Sequence, residues 1–527
     1  MANVEEQFDG SGYAVTVCDA AYAGEQGRCD IAGVGTAIHL KGIVISQDRI
    51  LVGGEISIDK DGRITDVGCS VPKGDSVVLD CPGVLISPGF INLHEHIEYS
   101  YEQPPSPPTP RWEHRNQWRA ASPAERGFDY SAPKDEGIRA EVSERAMLRH
   151  MLSGTTAVVG ANDYSAFVRN LKKTNIVLGT PSNVPVMDET FPLQDVKSSD
   201  AITTPCSAST IASIRRSIDA RNPYVAHVGE GINQGAGYEV DCMLESTKVK
   251  TTPNAFVHVV AVTPEQITRL VGQHTSVVLS PRSNFQLYGA TASIPALQQA
   301  GVNLALGTDW APSGSLTMLD EMRCLAVYNK RNLSGYLTWA DIHRMATRNA
   351  ARAVGLEGQL GSLSPGRLAD MALIDAQGRR SLGEVLARAA DKETLAVFIA
   401  GKGASFPSSW TEKLPGTLEN CQEDPRALCG EQRMICGAAN ARPLAALLAL
   451  KTYVIDDAKL CRPQPTDDCV PVRPGLYSGI PTSGDRDGDG VPDSNDSCPS
   501  IFNPPLPFLG GKQSDMAALG EVCRSVR

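Results

Sequence analysis

The sequence predicts an α/β protein with a TIM-like (β/α)8 barrel, a small β-sandwich built from both flanks, and a Cys-rich C-terminal extension. Between residues 88 and 360, apolar segments such as YVAHVG, AFVHVV and SVVLSP recur between helical stretches. Such alternation predicts βα units and a parallel sheet, and about eight units over roughly 250 residues fit a closed barrel. Polar residues cluster directly after the apolar segments, which is the catalytic face of such a barrel.

The two flanks of the barrel alternate apolar and polar residues, as short antiparallel strands do. The tetrapeptide DKDG, residues 59–62, is typical of a hairpin turn between two of them. We expect residues 36–87 and 361–405 to be the two parts of the β-sandwich, after an N-terminal extension over residues 1–35. Beyond these, residues 406–527 are rich in Cys, Pro and Asp and are predicted to form a separate appendage.

Length and composition restrict the functional class. The chain has 527 residues, of which 42% are hydrophobic and 21% charged, so it can bury a large core in two or three domains. A net charge of −11 and the absence of any Lys/Arg block argue against binding to nucleic acid. No apolar run approaches the ~20 residues that span a bilayer. We therefore expect a small-molecule substrate, and the oligomeric state stays open, with a homo-oligomer among the alternatives.

The chain contains 14 cysteines, an even number, without a C-x-x-C pair of the structural zinc type. Disulfides are the simpler explanation, and they indicate an oxidising compartment, periplasmic or extracellular. The alternative is a cytosolic protein with scattered buried thiols. The first ten residues are acidic and lack an apolar core, so a signal peptide is expected to lie outside this sequence.

Histidines and one aspartate follow the apolar segments. His94 and His96 come directly after VLISPGFINL, and alternate residues of an extended chain point to the same side. His227, His258 and Asp309 each end or follow another such segment. Two histidines from one strand, a third from another strand and an aspartate suit one divalent transition metal, zinc or alternatively iron. Asp309 alone could simply cap a helix, so it is the combination that predicts a metal site.

Seven motifs in order resemble the amidohydrolase superfamily and its aminohydrolase and chlorohydrolase branch, over about residues 36–405. They are PGFINLHEH, HVGE, VHVVAVTPE, LSPRSN, LGTDWAPSGS, MATRNAARAVGL and GSLSPGRLADMALID. The resemblance implies that His94, His96, His227 and Asp309 bind one divalent metal.

The resemblance also implies roles for His258, which would position or deprotonate the attacking water, and for Glu230, which would transfer a proton to the substrate nitrogen. Some members of the superfamily hold two metals bridged by a carboxylated lysine after a middle strand. Here Lys172 and Lys173 precede the segment NIVLGT rather than follow it, so we expect a mononuclear site.

Hydrolysis of an amide or amidine needs a nucleophile, a Lewis acid, a base and a proton donor to nitrogen. A divalent metal lowers the pKa of water toward ~7, while His258 or Asp309 would act as base and Glu230 as proton donor. We expect deamination of an amino-substituted heterocycle, and hydrolysis of a linear or cyclic amide at the same site is the alternative. An inactive secreted calcium-binding adhesion protein is the alternative from another class, but all six polar positions of the site are occupied.

Four further residues are candidates for substrate binding. Ser283 and Asn284 in SPRSN could shape the pocket, although a turn role is an alternative. Trp310 could stack on a planar substrate or belong to the core. His114 lies in RWEHRNQWR and could contact substrate, or the segment could be a solvated loop.

The segment DRDGDGVPDSND, residues 485–496, has the residue spacing of a calcium loop. Positions 1, 3, 5, 9 and 12 of such a loop would be Asp485, Asp487, Asp489, Asp493 and Asp496. Oxygen ligands alone favour calcium, and a disordered acidic linker is the alternative. With the following SCPSIFNP, the segment resembles a single thrombospondin type 3 repeat, a module of extracellular proteins.

Overall fold

The computed structural model describes residues 8–100, 111–126, 132–173, 184–193, 206–218, 221–425, 427–450, 461–513 and 523. The predicted strand NIVLGT, residues 175–180, lies outside the described residues. Within the described ranges, no helix combines the length and the apolar character needed to cross a membrane.

The N-terminal flank contributes six strands: β1 (Ala14–Val17), β2 (Asp30–Ala32), β3 (Ala37–Ile45), β4 (Arg49–Ile58), β5 (Ile64–Gly68) and β6 (Ser76–Pro88). Strand β3 lies between β4 and β6, antiparallel to β4 and parallel to β6. The DKDG turn joins β4 to β5, where Gly62 adopts φ +76° and its N–H donates to the Asp59 carbonyl. The predicted hairpin is therefore present.

Eight parallel strands follow, in one sheet of three and one of five. They are β7 (Phe90–Asn92), β8 (Thr155–Val158), β9 (Arg169–Asn170), β10 (Met187–Glu189), β11 (Tyr224–Val228), β12 (Asn254–His258), β13 (Thr275–Leu279) and β14 (Leu304–Leu306). Backbone bonds from Leu93 N to Leu306 O (3.4 Å) and from Val186 N to Leu171 O (2.9 Å) join the two sheets at both edges. A closed barrel requires this arrangement.

The described part of the chain contains thirteen α-helices, of which α1 to α8 lie between β7 and β14 in sequence and α9 to α13 follow β14. They are α1 (Arg115–Ala120), α2 (Pro123–Arg126), α3 (Glu136–Leu152), α4 (Ala208–Ser217), α5 (Gln234–Thr247), α6 (Pro264–Gly272), α7 (Pro281–Tyr288), α8 (Ile294–Gln299), α9 (Met318–Asn332), α10 (Trp339–Met345), α11 (Arg348–Ala353), α12 (Leu382–Arg388) and α13 (Leu444–Ala449). Alternate strand residues divide between two cores: Val225 and Val257 pack in one, whereas Tyr224 and Phe256 belong to the core shared with the helices. His227 has the parity of Val225, so it faces the same side.

The C-terminal flank adds β15 (Met371–Asp375), β16 (Thr394–Ile399), β17 (Lys402–Pro407), β18 (Asn420–Glu423) and β19 (Arg433–Gly437). Strand β15 pairs antiparallel with β6, so strands from both flanks belong to one sheet. It is a single hydrogen-bonded sheet of eleven described strands where the sequence predicts a sandwich. Strands β18 and β19 come from the extension, which therefore continues the sheet rather than standing apart as an appendage.

Seven disulfides pair all 14 cysteines, and none is free. They are Cys18–Cys69, Cys29–Cys81, Cys206–Cys242, Cys324–Cys469, Cys421–Cys436, Cys429–Cys461 and Cys498–Cys523. The Cys324–Cys469 bond joins α9 to the extension across 145 residues. This content of disulfides indicates an oxidising environment.

Thiol labelling under denaturing conditions tests this pairing. Without reductant we expect no labelled cysteine, and after reduction all 14 should react, because every thiol is in a disulfide. The mass of the alkylated chain counts the labels directly. Equal labelling with and without reductant would contradict the disulfide assignment.

Candidate active site

The predicted metal ligands and His258 lie at the carboxyl ends of four parallel strands. His94 and His96 follow β7, His227 lies in β11, His258 ends β12 and Asp309 follows β14. Because the carboxyl ends of parallel strands meet at one rim of the sheet, residues separated by more than 200 positions come together there.

The distances between these side chains are those of one compact cluster. His94 Nε2 lies 3.3 Å from His96 Nε2 and 3.4 Å from Asp309 Oδ1. His96 Nε2 is 3.6 Å from the same carboxylate oxygen. The ligand atoms of His94, His227 and His258 lie within 4.8 Å of one another. The structure thus brings together all four predicted metal ligands and His258.

The donor set fits a divalent transition metal. Imidazole nitrogens with one carboxylate are the ligands that zinc prefers in catalytic sites. The Nε2 atom of His258 is buried and has no hydrogen-bond partner, although it faces the cluster. Burial and the neighbouring imidazoles lower the pKa values of His94 and His227 well below the ordinary range, which keeps both rings in the neutral form that binds metal. Burial raises the pKa of Asp309, and a nearby cation would favour its charged form.

Ser283 and Asn284, predicted to contact substrate, instead support the ligands from behind. Ser283 Oγ donates to Asp309 Oδ2 at 2.6 Å. The Nδ1 atom of His258 donates to Asn284 Oδ1 at 2.9 Å. Since the amide oxygen only accepts, this bond places the proton of the neutral ring on Nδ1 and leaves Nε2 as an acceptor toward the cluster. Neither Ser283 nor Asn284 lines the cavity.

Glu230, two residues beyond β11, is buried at the edge of the cluster. Its Oε1 accepts a hydrogen bond from the Tyr288 hydroxyl at 2.6 Å, and that hydroxyl accepts from Trp118 Nε1 at 2.8 Å. The other oxygen, Oε2, lies 3.4 Å from His227 Nδ1 and 3.7 Å from His258 Nε2. One carboxylate oxygen is therefore fixed by the protein, while the other faces the imidazoles.

The backbone is strained at two residues of the cluster, His258 and Asp309, and at the neighbouring Val259. His258, Val259 and Asp309 adopt positive φ values of 71°, 46° and 59°, a region that non-glycine residues rarely occupy. The bond from Asp309 N to the His94 carbonyl, 2.8 Å, holds one of these turns against the β7 end. Strain of this kind clusters at functional sites, where the surrounding structure maintains it.

A cavity of about 270 Å³ opens beside the cluster. Its wall includes an aromatic group in which Trp310 lies 5.2 Å from Trp118 and 5.9 Å from Tyr99 between ring centroids. On another side Phe191 packs edge-on against His227, with the Arg119 guanidinium 4.4 Å from its ring centroid. Trp310 thus lines the cavity.

His114 does not line the cavity. Its buried ring contacts the carboxylate of Glu239 at 3.1 Å, and the Arg115 guanidinium donates to the same carboxylate. Glu239 also accepts from Gly229 N, beside Glu230, so this buried group supports the loop after β11. The expected substrate contact of His114 is replaced by a structural one.

Two supporting residues were not identified from the sequence. Ser280 directly follows β13, and its hydroxyl lies 2.7 Å from His94 Nδ1. A polar residue at a strand end is the same signal that identifies His94, so Ser280 could have been found. Tyr288 lies a further two helical turns along α7, and no local pattern marks its contact with Glu230.

The acidic loop at residues 485–496 is compact. Carboxylate oxygens of Asp485, Asp487 and Asp489 lie within 4.8 Å of one another. Asp487 Oδ2 and Asp496 Oδ2 are buried without a hydrogen-bond partner. Asp493 instead pairs with the Arg486 side chain at 2.7 Å.

Comparison with known proteins identifies the family of this chain. The amidohydrolase family profile matches residues 85–403. A 5-methylthioadenosine/S-adenosylhomocysteine deaminase from Teredinibacter turnerae is 43% identical over 123 residues, which cover 23% of this chain and only 28% of that protein. A 5'-deoxyadenosine deaminase from Methanothermobacter thermautotrophicus is 26% identical over 375 residues, covering 63% of this chain and 84% of the relative.

Among solved structures, atrazine chlorohydrolase from Arthrobacter aurescens TC1, in complex with zinc, matches with a TM-score of 0.52 at 18% identity. The match covers 70% of this chain and 95% of that one, and it implies the TIM-like barrel. The chain belongs to the amidohydrolase family. It is a metal-dependent hydrolase that acts on carbon–nitrogen bonds.

Metal content tests the ligand cluster. We expect about one zinc per wild-type chain after dialysis against zinc, and a large loss of zinc in Asp309→Asn, because the carboxylate ligand is removed. Asparagine suits this variant, since it tolerates the positive φ of position 309.

His274→Asn is the matched control, because His274 is exposed, lies outside the cluster and also has a positive φ. Elemental analysis of the purified proteins gives the zinc content. Full zinc occupancy in Asp309→Asn would exclude Asp309 as a ligand.

Proposed function

We propose that this protein hydrolytically deaminates an amino-substituted heterocycle, with adenine-type nucleosides as the first candidates. The single observation that carries the proposal is the position of Glu230, buried between the imidazole cluster and the cavity with one oxygen fixed by Tyr288. The names of the deaminase relatives support the substrate class.

His94, His96, His227 and Asp309 would hold one divalent transition metal, zinc first and iron as the alternative. When bound, such a metal supplies Lewis acidity and makes water available as hydroxide near neutral pH. Lys172 and Lys173 pair with Asp188 and Asp163, which supports a mononuclear site.

Side chains of the protein would orient the water, transfer protons and bind the substrate ring. His258, with Nε2 as acceptor, orients the attacking water and takes its proton. Glu230 Oε2 carries a proton to the substrate nitrogen, which leaves as ammonia. Trp310 and Trp118 would stack against the planar ring and exclude bulk water from it.

Glu230→Gln tests the proton transfer. A glutamine keeps the bond to Tyr288 but carries no ionisable proton, so we expect kcat to fall by roughly 10²-fold or more. Ammonia release from adenosine, 5'-deoxyadenosine and related amino-heterocycles is the assay, with zinc content measured in parallel.

Glu265→Gln is the control. Glu265 is exposed at the start of α6, so this variant should keep the wild-type rate. Wild-type turnover by Glu230→Gln would refute its role. If the wild-type protein releases ammonia from simple amides and from no amino-heterocycle, amide hydrolysis is the function instead.

We further propose that residues 485–496 bind calcium and that the protein acts in the periplasm or outside the cell. The unpartnered buried oxygens of Asp487 and Asp496 support a cation, and an all-oxygen ligand set favours calcium. The seven disulfides support the oxidising location.

Calcium should stabilise the protein more as the pH rises. In the calcium-free loop, burial and neighbouring carboxylates raise the pKa of Asp487 to about 8 and that of Asp489 to about 6. Both values exceed the pKa of about 4 in the unfolded chain, so stability from these groups is fully present below about pH 4 and is lost as the pH rises from there to about 6 for Asp489 and about 8 for Asp487. Calcium binds the ionised form and offsets this loss.

We expect the calcium-induced rise in Tm to be larger at about pH 8 than at about pH 5, measured by thermal unfolding with calcium or a chelator. Asp487→Asn should abolish the difference, whereas exposed Asp467→Asn should retain it. A calcium effect that is the same at both pH values in the wild-type protein would contradict the proposal.

A further inference from the structure

Helix α7 and its N-cap residue contact four of the six catalytic-site residues, namely His94, Asp309, His258 and Glu230, from one side. Ser280, its N-cap, contacts His94, and Ser283 and Asn284 contact Asp309 and His258. One turn further on, Tyr288 donates to Glu230. The spacing of three and four residues places these four side chains on one face of the helix. A small shift of α7 would therefore displace both the metal ligands and the proton donor.

The opposite face of α7 is held by the extension, through residues 461–479, which we call the C-terminal strap. Arg282 and Gln286, four residues apart, both donate to the carboxylate of Asp468 in the strap. Gln286 Nε2 lies 3.0 Å from Asp468 Oδ2, and Arg282 also donates to the Pro465 carbonyl at 3.0 Å. The next residue, Cys469, is bonded to Cys324 of α9, so the carboxylate is fixed covalently to the barrel.

The carboxyl end of α7 is held by the same strap. Arg473 donates to the Tyr288 carbonyl at 2.9 Å and to the Trp112 carbonyl at 3.0 Å. Arg111 donates to the Gln286 carbonyl at 2.9 Å and to the Val472 carbonyl at 3.0 Å. These bonds satisfy carbonyl groups that the end of the helix leaves without partners.

We infer that Asp468 of the C-terminal strap is a positioning residue, which holds α7 against the catalytic cluster through Arg282 and Gln286. Asp468 touches neither the cavity nor any metal ligand, so it acts through Arg282 and Gln286. The cavity walls at Phe191, Tyr99 and Trp310 belong to other segments. Loss of the Asp468 carboxylate should therefore lower the turnover number kcat and leave substrate binding nearly unchanged.

The test compares Asp468→Ala with Asp467→Ala. Asp467 is adjacent and exposed, so the two variants lose the same charge one residue apart. We expect Asp468→Ala to lower kcat about tenfold or more with KM changed less than about twofold, and Asp467→Ala to match the wild type. Asp468→Asn keeps the shape and one acceptor oxygen, and should fall between the two.

This kinetic readout rests on the proposed deamination, so a second readout does not use activity. The visible absorption of protein loaded with Co²⁺ instead of zinc reports ligand geometry, and Asp468→Ala should change that spectrum while Asp467→Ala should not. If the wild-type protein deaminates nothing, the function fails and the spectra still decide the role of the strap.

A wild-type kcat and a wild-type cobalt spectrum in Asp468→Ala would overturn the inference. Equal losses in Asp468→Ala and Asp467→Ala would also overturn it, because the effect would then be one of charge alone. Thermal unfolding identifies a variant that does not fold; in that case Asp468→Asn decides, with a reduced kcat supporting the role and a wild-type kcat refuting it.

Discussion

The close packing of four imidazoles and one carboxylate in a buried cluster is the constraint on which the rest of the structure depends. Such groups lose their hydration on burial, and they stay together only if hydrogen bonds and a cation compensate for that loss. The structure supplies the hydrogen bonds: the outer nitrogens of His94 and His258 and the outer oxygen of Asp309 each have a partner on or beside α7. The remaining imidazole nitrogens and the other carboxylate oxygen face one another, so a bound cation would compensate for their loss of hydration.

The metal ligands can be predicted from the sequence because each of them lies at the end of an apolar strand segment or follows it. A parallel strand ends at the active rim, so a histidine directly after an apolar run can be located without any long-range information. The mistaken interpretations of Ser283, Asn284 and His114 have a different origin. The sequence places these residues near the motifs, but tertiary packing decides the direction in which each side chain points. All three side chains contact buried partners and do not reach the cavity.

The extension was the least predictable part of the fold, since its composition changes abruptly after the C-terminal flank. The extension docks through three kinds of contact. Tyr477, Ile501 and Phe502 pack in the core of the barrel, arginine side chains donate to backbone carbonyls, and a disulfide joins the extension to α9. Asn332 at the end of α9 adds bonds to the carbonyls of Gly479 and Asp487, which link the acidic loop to the same helix. Pairings of this kind carry no periodic signal, so sequence patterns do not predict them.

The left-handed backbone at His258, Val259 and Asp309 has a consequence for any attempt to redesign this enzyme. A β-branched valine in that conformation is strained, and such strain costs about 1–3 kcal/mol per residue. Larger or stiffer side chains at these positions would therefore add strain and destabilise the surrounding fold. Libraries aimed at new substrates should leave this rim unchanged and vary cavity-lining residues such as Phe191 and Tyr99, which have no positive φ.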